Sequence, residues 1–273
     1  MDVWIVRLAA GLYLAATVLY LLHLYRLEPR FARGAFGVLC AAFLLHTVSF
    51  VVRWVAGGHF PVTTIEDSLS FFSWALAGGY IGVQYFYSMP VLGAFVSPLN
   101  LMGVLYAAVF SGPPGVITPA LRSGWLSIHA TTSFVGYAAF ALSFVVSVLY
   151  LVQERYIKSK SLGWMFRRLP SLHTLDSLNY RMLTVGFPFL TIGIITGAIW
   201  AEYAWGSYWS WDPKETWSLI TWFIYAAILH GRMTVGWRGR RAAILAIVGF
   251  AAVLFTFLGV NLLLPGLHTY ANM

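Results

Sequence analysis

Residues 205–217 read Trp205-Gly206-Ser207-Tyr208-Trp209-Ser210-Trp211-Asp212-Pro213-Lys214-Glu215-Thr216-Trp217. Five aromatics in thirteen residues share this segment with a glycine, a proline and three charged groups, and Glu202 stands just before it. Tryptophan and tyrosine favour the headgroup level of a bilayer. That preference accounts well for scattered residues such as Trp4, Trp54 and Trp74. It accounts poorly for rings packed around Gly206, Pro213, Asp212, Lys214 and Glu215. Flat rings about a fixed turn suit a large planar apolar ligand, with a few polar groups to orient it. Composition alone leaves an interfacial belt and a ligand site equally open.

The seven histidines shift the balance toward a ligand. His129 precedes the aromatic segment and His268 follows it, in Gly266-Leu267-His268-Thr269-Tyr270. Two neutral imidazoles on opposite faces of a haem make a low-spin axial pair. Either histidine taken alone is equally well read as an interfacial residue satisfied by water or a carbonyl. His230 lies about 15 residues into an apolar stretch. An ionisable group at such depth is costly and is a functional candidate by default, the plainer reading being a bond to a neighbouring helix or snorkelling beside Arg232. His46 has the same status without supporting context. His23 and His173 border basic loops and read as surface residues, and His59 is ambiguous. The single cysteine, Cys40, excludes an internal disulfide, a Cys-x-x-Cys redox pair and a Cys-x-x-Cys-His haem attachment within this chain.

These residues must be positioned by membrane helices. The chain has 273 residues, is 60% hydrophobic and only 10% charged, with mean hydropathy +0.76. A soluble protein carries about 25% charged residues. Apolar runs predict an all-α membrane domain over 1–273 with eight spans, at 3–25, 35–56, 69–87, 90–110, 128–152, 182–201, 216–235 and 242–262. The first run is long and ends in a basic loop, as a span does and a cleaved signal does not. Of 17 basic residues, 13 fall in three alternate loops. These are Arg26, Arg30 and Arg33; Arg155 to Arg181; and Arg232 to Arg241. Positive charge marks the cytoplasmic side, so both termini are expected on the outer face, together with the loop 202–217. The net charge of +8 is therefore topological and speaks for no nucleic-acid partner. Residues 163–179, where apolar residues alternate with Arg167, Arg168 and His173, are expected to form a short interfacial helix.

The segment Trp205 to Trp217 resembles the tryptophan-rich signature of the haem-handling WWD-domain family of cytochrome c biogenesis. Its Trp-Gly-x-x-Trp-x-Trp-Asp core is complete as Trp205, Gly206, Trp209, Trp211 and Asp212. The resemblance extends to Gly186-Phe187-Pro188, Gly197-Ala198-Ile199-Trp200, Leu229-His230-Gly231-Arg232, Gly259-Val260-Asn261 and Gly266-Leu267-His268. It covers the C-terminal half strongly. In the N-terminal half it rests on the span pattern and on Pro61 to Trp74. The pattern is most similar to the CcsA (ResC) branch.

The resemblance implies haem b as the bound group, with Trp205, Gly206, Trp209, Trp211, Asp212 and Trp217 forming its outer seat. It further implies His129 and His268 as outer axial ligands and His230 as a ligand on the way from the cytoplasmic side. It implies a membrane partner of the CcsB (ResB) type, which supplies the second membrane ligand unless His46 does. Its client would be an apocytochrome c presenting Cys-x-x-Cys-His. The implied assembly is a holocytochrome c synthase of haem lyase type, in a bacterial cytoplasmic membrane or a thylakoid membrane. Three rivals stand beside it. A CcmC-type chaperone would pass haem to a carrier and would not need His230. A b-type cytochrome would pair histidines at matched depth on adjacent spans. A non-haem transporter would need a polar midplane site and broken helices.

Overall fold

The computed structural model describes residues 2–112, 119–160, 163–264 and 266. The regular structure among the described residues is helical, with no strand. They divide into two compact units, Met1–Thr118 and Pro119–Met273.

The first unit holds α1 (Asp2–Arg26), α2 (Pro29–Gly57), α3 (Ile65–Tyr87) and α4 (Pro90–Phe110). Local chemistry sets its boundaries. Pro29 and Pro90 stand at helix starts, where a missing N–H costs nothing. Thr64 caps α3 by accepting the Asp67 N–H at 3.2 Å. Gly58 and Ser88 close α2 and α3 in left-handed conformations. α1 packs along α2 and α4, and α3 along α4 and α2. Tyr13, Tyr20, Leu39, Leu76, Tyr80 and Leu92 are buried between them. Beside the start of α3, Arg53 donates to Asp67 at 2.7 Å and to the Gly112 carbonyl at 3.0 Å. Burial raises the Asp67 carboxyl pKa, and the Arg53 guanidinium opposes that shift.

The second unit opens with a 3₁₀ turn, Pro119–Arg122, and a long pair, α5 (Gly124–Lys158) and α6 (Leu172–Trp205). α7 (Pro213–His230) leads into a π-turn, Gly231–Val235. α8 (Arg240–Leu254), a second π-turn (Phe255–Gly259) and α9 (Val260–Leu263) follow. α5 and α6 run antiparallel in close contact, because Gly136, Gly186, Gly193 and Gly197 let backbone and rings approach. α8 packs on α5 and α7, and α7 packs on α6. Phe140 of α5 stacks on Tyr225 of α7 at 3.6 Å and 5°.

All eight expected spans are helical. Among the described residues, six helices are long and apolar enough to cross a membrane: α1, α2, α4, α5, α6 and α8 with its π-turn. The chain is a multi-pass membrane protein. α3 and α7 are helices of 23 and 18 residues that fall below that measure. Glu66, Asp67, Gln84, three serines and three glycines dilute the first, and Lys214, Glu215 and His230 the second.

Two local expectations are corrected. Residues 164–168 form turns, and the helix expected over 163–179 begins only at Leu172, where it runs on as α6. Pro170 disfavours helix before it, and Ser171 supplies an N-cap by accepting the Thr174 N–H at 3.2 Å. His23 is not a surface residue; it is buried, with Nδ1 donating to the Glu28 carbonyl at 3.2 Å.

Candidate functional site

The aromatic segment is shorter as a loop than its sequence motif. α6 continues through Trp205, and α7 starts at Pro213, leaving 206–212 irregular. Gly206 ends α6 at φ +75°, and its N–H bonds the Glu202 carbonyl at 2.9 Å. Only glycine takes that conformation without a steric cost, which explains the glycine one residue after Trp205.

Glu215 holds the other end. Its carboxylate accepts the Ser210 N–H at 2.7 Å, the Ser210 hydroxyl at 3.2 Å and the Asp212 N–H at 3.2 Å. Asp212 caps α7 in return, accepting the Lys214 N–H at 2.9 Å. This Asp-x-x-Glu arrangement is a capping box. Both carboxylates are buried, Asp212 at 7% and Glu215 at 9% exposure, so both serve the loop itself. Lys214 lies between them, its Nζ 3.4 Å from Asn261 Oδ1. Burial draws the Lys214 amine down to about 8, against the pull of Asp212.

The loop displays its rings. Trp211 is 69% exposed and Tyr208 60%. Trp211 also sits at φ +59°, a left-handed conformation that costs a bulky residue about 1–3 kcal/mol. Trp209 meets Trp211 edge-on at 5.8 Å. Trp217, one turn into α7, packs on Phe255 at 4.3 Å. Its carbonyl accepts the Thr221 and Thr256 hydroxyls. Trp217 thus joins the loop's helix to the second π-turn.

His129 stands one turn into α5. Its Nδ1 lies 2.7 Å from the Gly193 carbonyl, which only accepts, so Nδ1 carries the proton. In that tautomer Nε2 is the basic nitrogen. A backbone carbonyl on one ring nitrogen is the usual second-shell arrangement of a metal-binding imidazole. The ring lies nearly parallel to Trp200 at 6.3 Å and 9°. Trp200 donates to the Ala120 carbonyl at 3.0 Å and meets Trp205 edge-on at 5.0 Å. His129, Trp200 and Trp205 therefore form a continuous aromatic run into the loop. The imidazole donor and the exposed rings fit a planar iron porphyrin, whose faces are apolar and whose iron takes nitrogen ligands.

His268 lies outside the described residues. The chain before it returns to the loop: a β-carbon on Gly266 would collide with the Asp212 carboxylate. His230 is the last residue of α7 and is exposed. His46 is fully buried in the first unit, with Tyr13 Oη 3.4 Å from Nδ1 and Ser70 Oγ 2.8 Å from Nε2. A hydroxyl engages each ring nitrogen, which suits a packed core histidine better than an iron ligand. His59 is buried, its Nδ1 3.2 Å from the Phe60 carbonyl. Cys40 is a free thiol.

Sequence reasoning gave Trp200, Glu215 and Asn261 no individual role. The Asp-x-x-Glu spacing before an apolar run would have exposed Glu215. Trp200 carries no such signal, because His129 and Ala120, which it meets, lie 71 and 80 positions away.

The model of the family described as cytochrome c assembly protein matches residues 62–268. Cytochrome c biogenesis protein CcsA of Gloeobacter violaceus is 36% identical, over 96% of this chain and 93% of that protein. CcsA of Synechococcus sp. (strain CC9902) is 42% identical over 85% of each. CcsA of Chlamydomonas reinhardtii is 41% identical over 89% of this chain and 68% of its own length. The solved structure of the cytochrome c haem lyase CcmF superposes with TM-score 0.70 at 21% identity. That match covers 94% of this chain, and the chain spans 47% of CcmF.

Proposed function

Because the chain belongs to the cytochrome c assembly protein family, we propose that it holds haem b at the outer face of the membrane and presents it to an apocytochrome c. His129 carries this reading. Its proton is committed to the Gly193 carbonyl, its basic nitrogen is Nε2, and its ring continues through Trp200 into the tryptophan loop.

In this reading His129 and His268 would hold the haem iron. Trp205, Trp209, Trp211 and Trp217 cover the ring and exclude water. Gly206 and Asp212 fix the loop that carries them. His230 ligates haem arriving from the cytoplasmic side, with a second histidine from a CcsB (ResB)-like partner. α3 and α7 complete eight crossings, with both termini and the loop outside. The membrane is a bacterial cytoplasmic membrane or, for a plastid protein, the thylakoid. The bound haem supplies vinyl groups to which the two thiols of the client's Cys-x-x-Cys-His segment add. This chain's contribution is position and protection, and no residue of it forms the thioether bonds.

The test is an absorption spectrum of the protein purified with its partner, wild type beside His129→Ala and His268→Ala. A reduced spectrum of bis-histidine haem, altered in both variants, supports the assignment. Haem retained unchanged in both variants, or absent from the wild type, overturns it.

A further inference from the structure

His230 and Arg232 stand two residues apart where α7 passes into the π-turn Gly231–Val235. Residues two apart on a helix lie on nearly opposite faces, at about 100° per residue. If one is pinned inward, the other is aimed outward. Arg232 is pinned inward. Its guanidinium makes two parallel bonds to Asp176, Nη1 to Oδ1 at 3.0 Å and Nη2 to Oδ2 at 2.7 Å. Nη2 also reaches the Asp176 carbonyl at 3.3 Å. The Arg232 side chain is 8% exposed and that of Asp176 17%. The Tyr180 ring lies 4.6 Å from the guanidinium carbon.

The backbone around His230 is fixed as firmly. The His230 carbonyl accepts the Thr234 hydroxyl at 2.7 Å. The Gly231 carbonyl accepts the N–H groups of Gly236 and Trp237, the latter at 3.1 Å. The Trp237 indole covers Gly231 so closely that a β-carbon there would collide with it. Asp176 Oδ1 also accepts the Gly239 N–H at 2.8 Å, which binds the start of α8 to the same carboxylate. One carboxylate on α6 thus ties together the end of α7, the π-turn and the start of α8. A π-turn widens the helix by one residue, and such turns recur at functional sites. Arg232 is thereby turned to α6 while His230 remains exposed on α7.

We infer that Asp176 and Arg232 are positioning residues for His230, holding its imidazole outward for iron. The inference rests on the assignment of His230 as the membrane ligand. Neither Asp176 nor Arg232 touches haem. Their pairing fixes the turn that carries the histidine rather than bonding its ring, so its loss is expected at the lower end of the roughly 10–100-fold range found for groups bonded directly to a metal ligand.

The experiment uses the chain co-expressed and purified with its membrane partner. His129→Ala and His268→Ala form the background, so that the inner site is read alone. His230→Ala, Arg232→Gln, Arg232→Lys, Asp176→Asn and the exchange Asp176→Arg/Arg232→Asp are compared by haem content, visible and electron paramagnetic resonance spectra, and midpoint potential. His230→Ala is expected to abolish the low-spin signal. Arg232→Gln and Asp176→Asn are expected to lower haem occupancy about tenfold and to leave part of the iron high-spin. Added imidazole is expected to restore the low-spin signal in both, and the exchange to restore it in part. Arg232→Lys keeps the charge but not the fork, so it is expected to fall between. If His230→Ala leaves the spectrum unchanged, the ligand assignment falls and this inference with it. If His230→Ala abolishes the signal while Arg232→Lys and Asp176→Asn match the background in spectrum and potential, the positioning role alone is overturned. If Arg232→Gln and Asp176→Asn fail to accumulate, Arg232→Lys decides: a spectrum and potential equal to the background overturn the inference, and a shift in either that imidazole reverses supports it.

Discussion

Glu215 closes the tryptophan loop from beneath. It satisfies two backbone N–H groups and a hydroxyl that the short loop cannot pair otherwise. Leaving such donors buried and unmet costs about 1–3 kcal/mol. Glu215→Ala is expected to lower the thermal midpoint of the solubilised protein and to weaken haem retention. Glu215→Gln keeps an acceptor oxygen and should cost less. Trp211 presents the opposite balance. Trp211→Gly removes the left-handed strain at φ +59° and is expected to raise stability by about 1 kcal/mol. It also removes an exposed ring, so haem affinity should fall; titration of both proteins with haem checks it, and equal affinity would remove Trp211 from the site. Lys214 makes a pH prediction. Its folded pKa is about 8, below the ordinary 10.5. Between those values the unfolded chain binds a proton that the folded chain does not, so stability rises with pH across the window. The thermal midpoint is expected to climb from pH 8 toward 10.5, and Lys214→Met to flatten that climb.

At the scale of elements, α5 and α6 place His129. The close approach at Gly197 leaves no room for a β-carbon, whose nearest neighbours would be the His129 ring atoms at 2.6 and 2.7 Å. Gly197→Val is expected to push the imidazole from the Gly193 carbonyl and cost about 1–3 kcal/mol by overpacking. The readout is the reduced haem spectrum: the variant should resemble His129→Ala rather than wild type. The two π-turns fall beside the same machinery. One follows His230 and the other packs against Trp217. Sequence periodicity predicted α7 and α8 through these regions and gave no sign of either π-turn. Each is closed by a local bond, Gly236 N–H to the Gly231 carbonyl and Val260 N–H to the Phe255 carbonyl, a one-residue widening that hydrophobic periodicity does not register.

For the whole molecule, the prediction concerns topology. Three alternate loops hold 13 of 17 basic residues, and this bias orients a membrane protein. Reporter fusions after Lys160 and Gly236 are expected to report the cytoplasm, and fusions after Gly112 and Gly206 the outer side. Fusions after Gly58 and Ser88 test whether α3 crosses, because the two sides alternate only if it does. Equal readings on both sides of α3 would leave the span count below eight.

The primary structure determined the class of this protein by itself. Apolar runs with few charges cannot remain in water, and in a bilayer such runs satisfy their own backbone as helices. It also marked the tryptophan segment, because that density of rings with glycine and acid is rare and is local in sequence. The tertiary structure decided which long-range partners these residues and the histidines meet. Asp212 caps α7 locally, and the chain at Gly266 comes back against its carboxylate. His46 is satisfied by hydroxyls of two other helices. Neighbours distant in sequence make these differences: Gly193 fixes the proton of His129 from 64 residues away, and Asp176 holds Arg232 from 56. Such bonds form only when the helices are packed, so no local pattern encodes them.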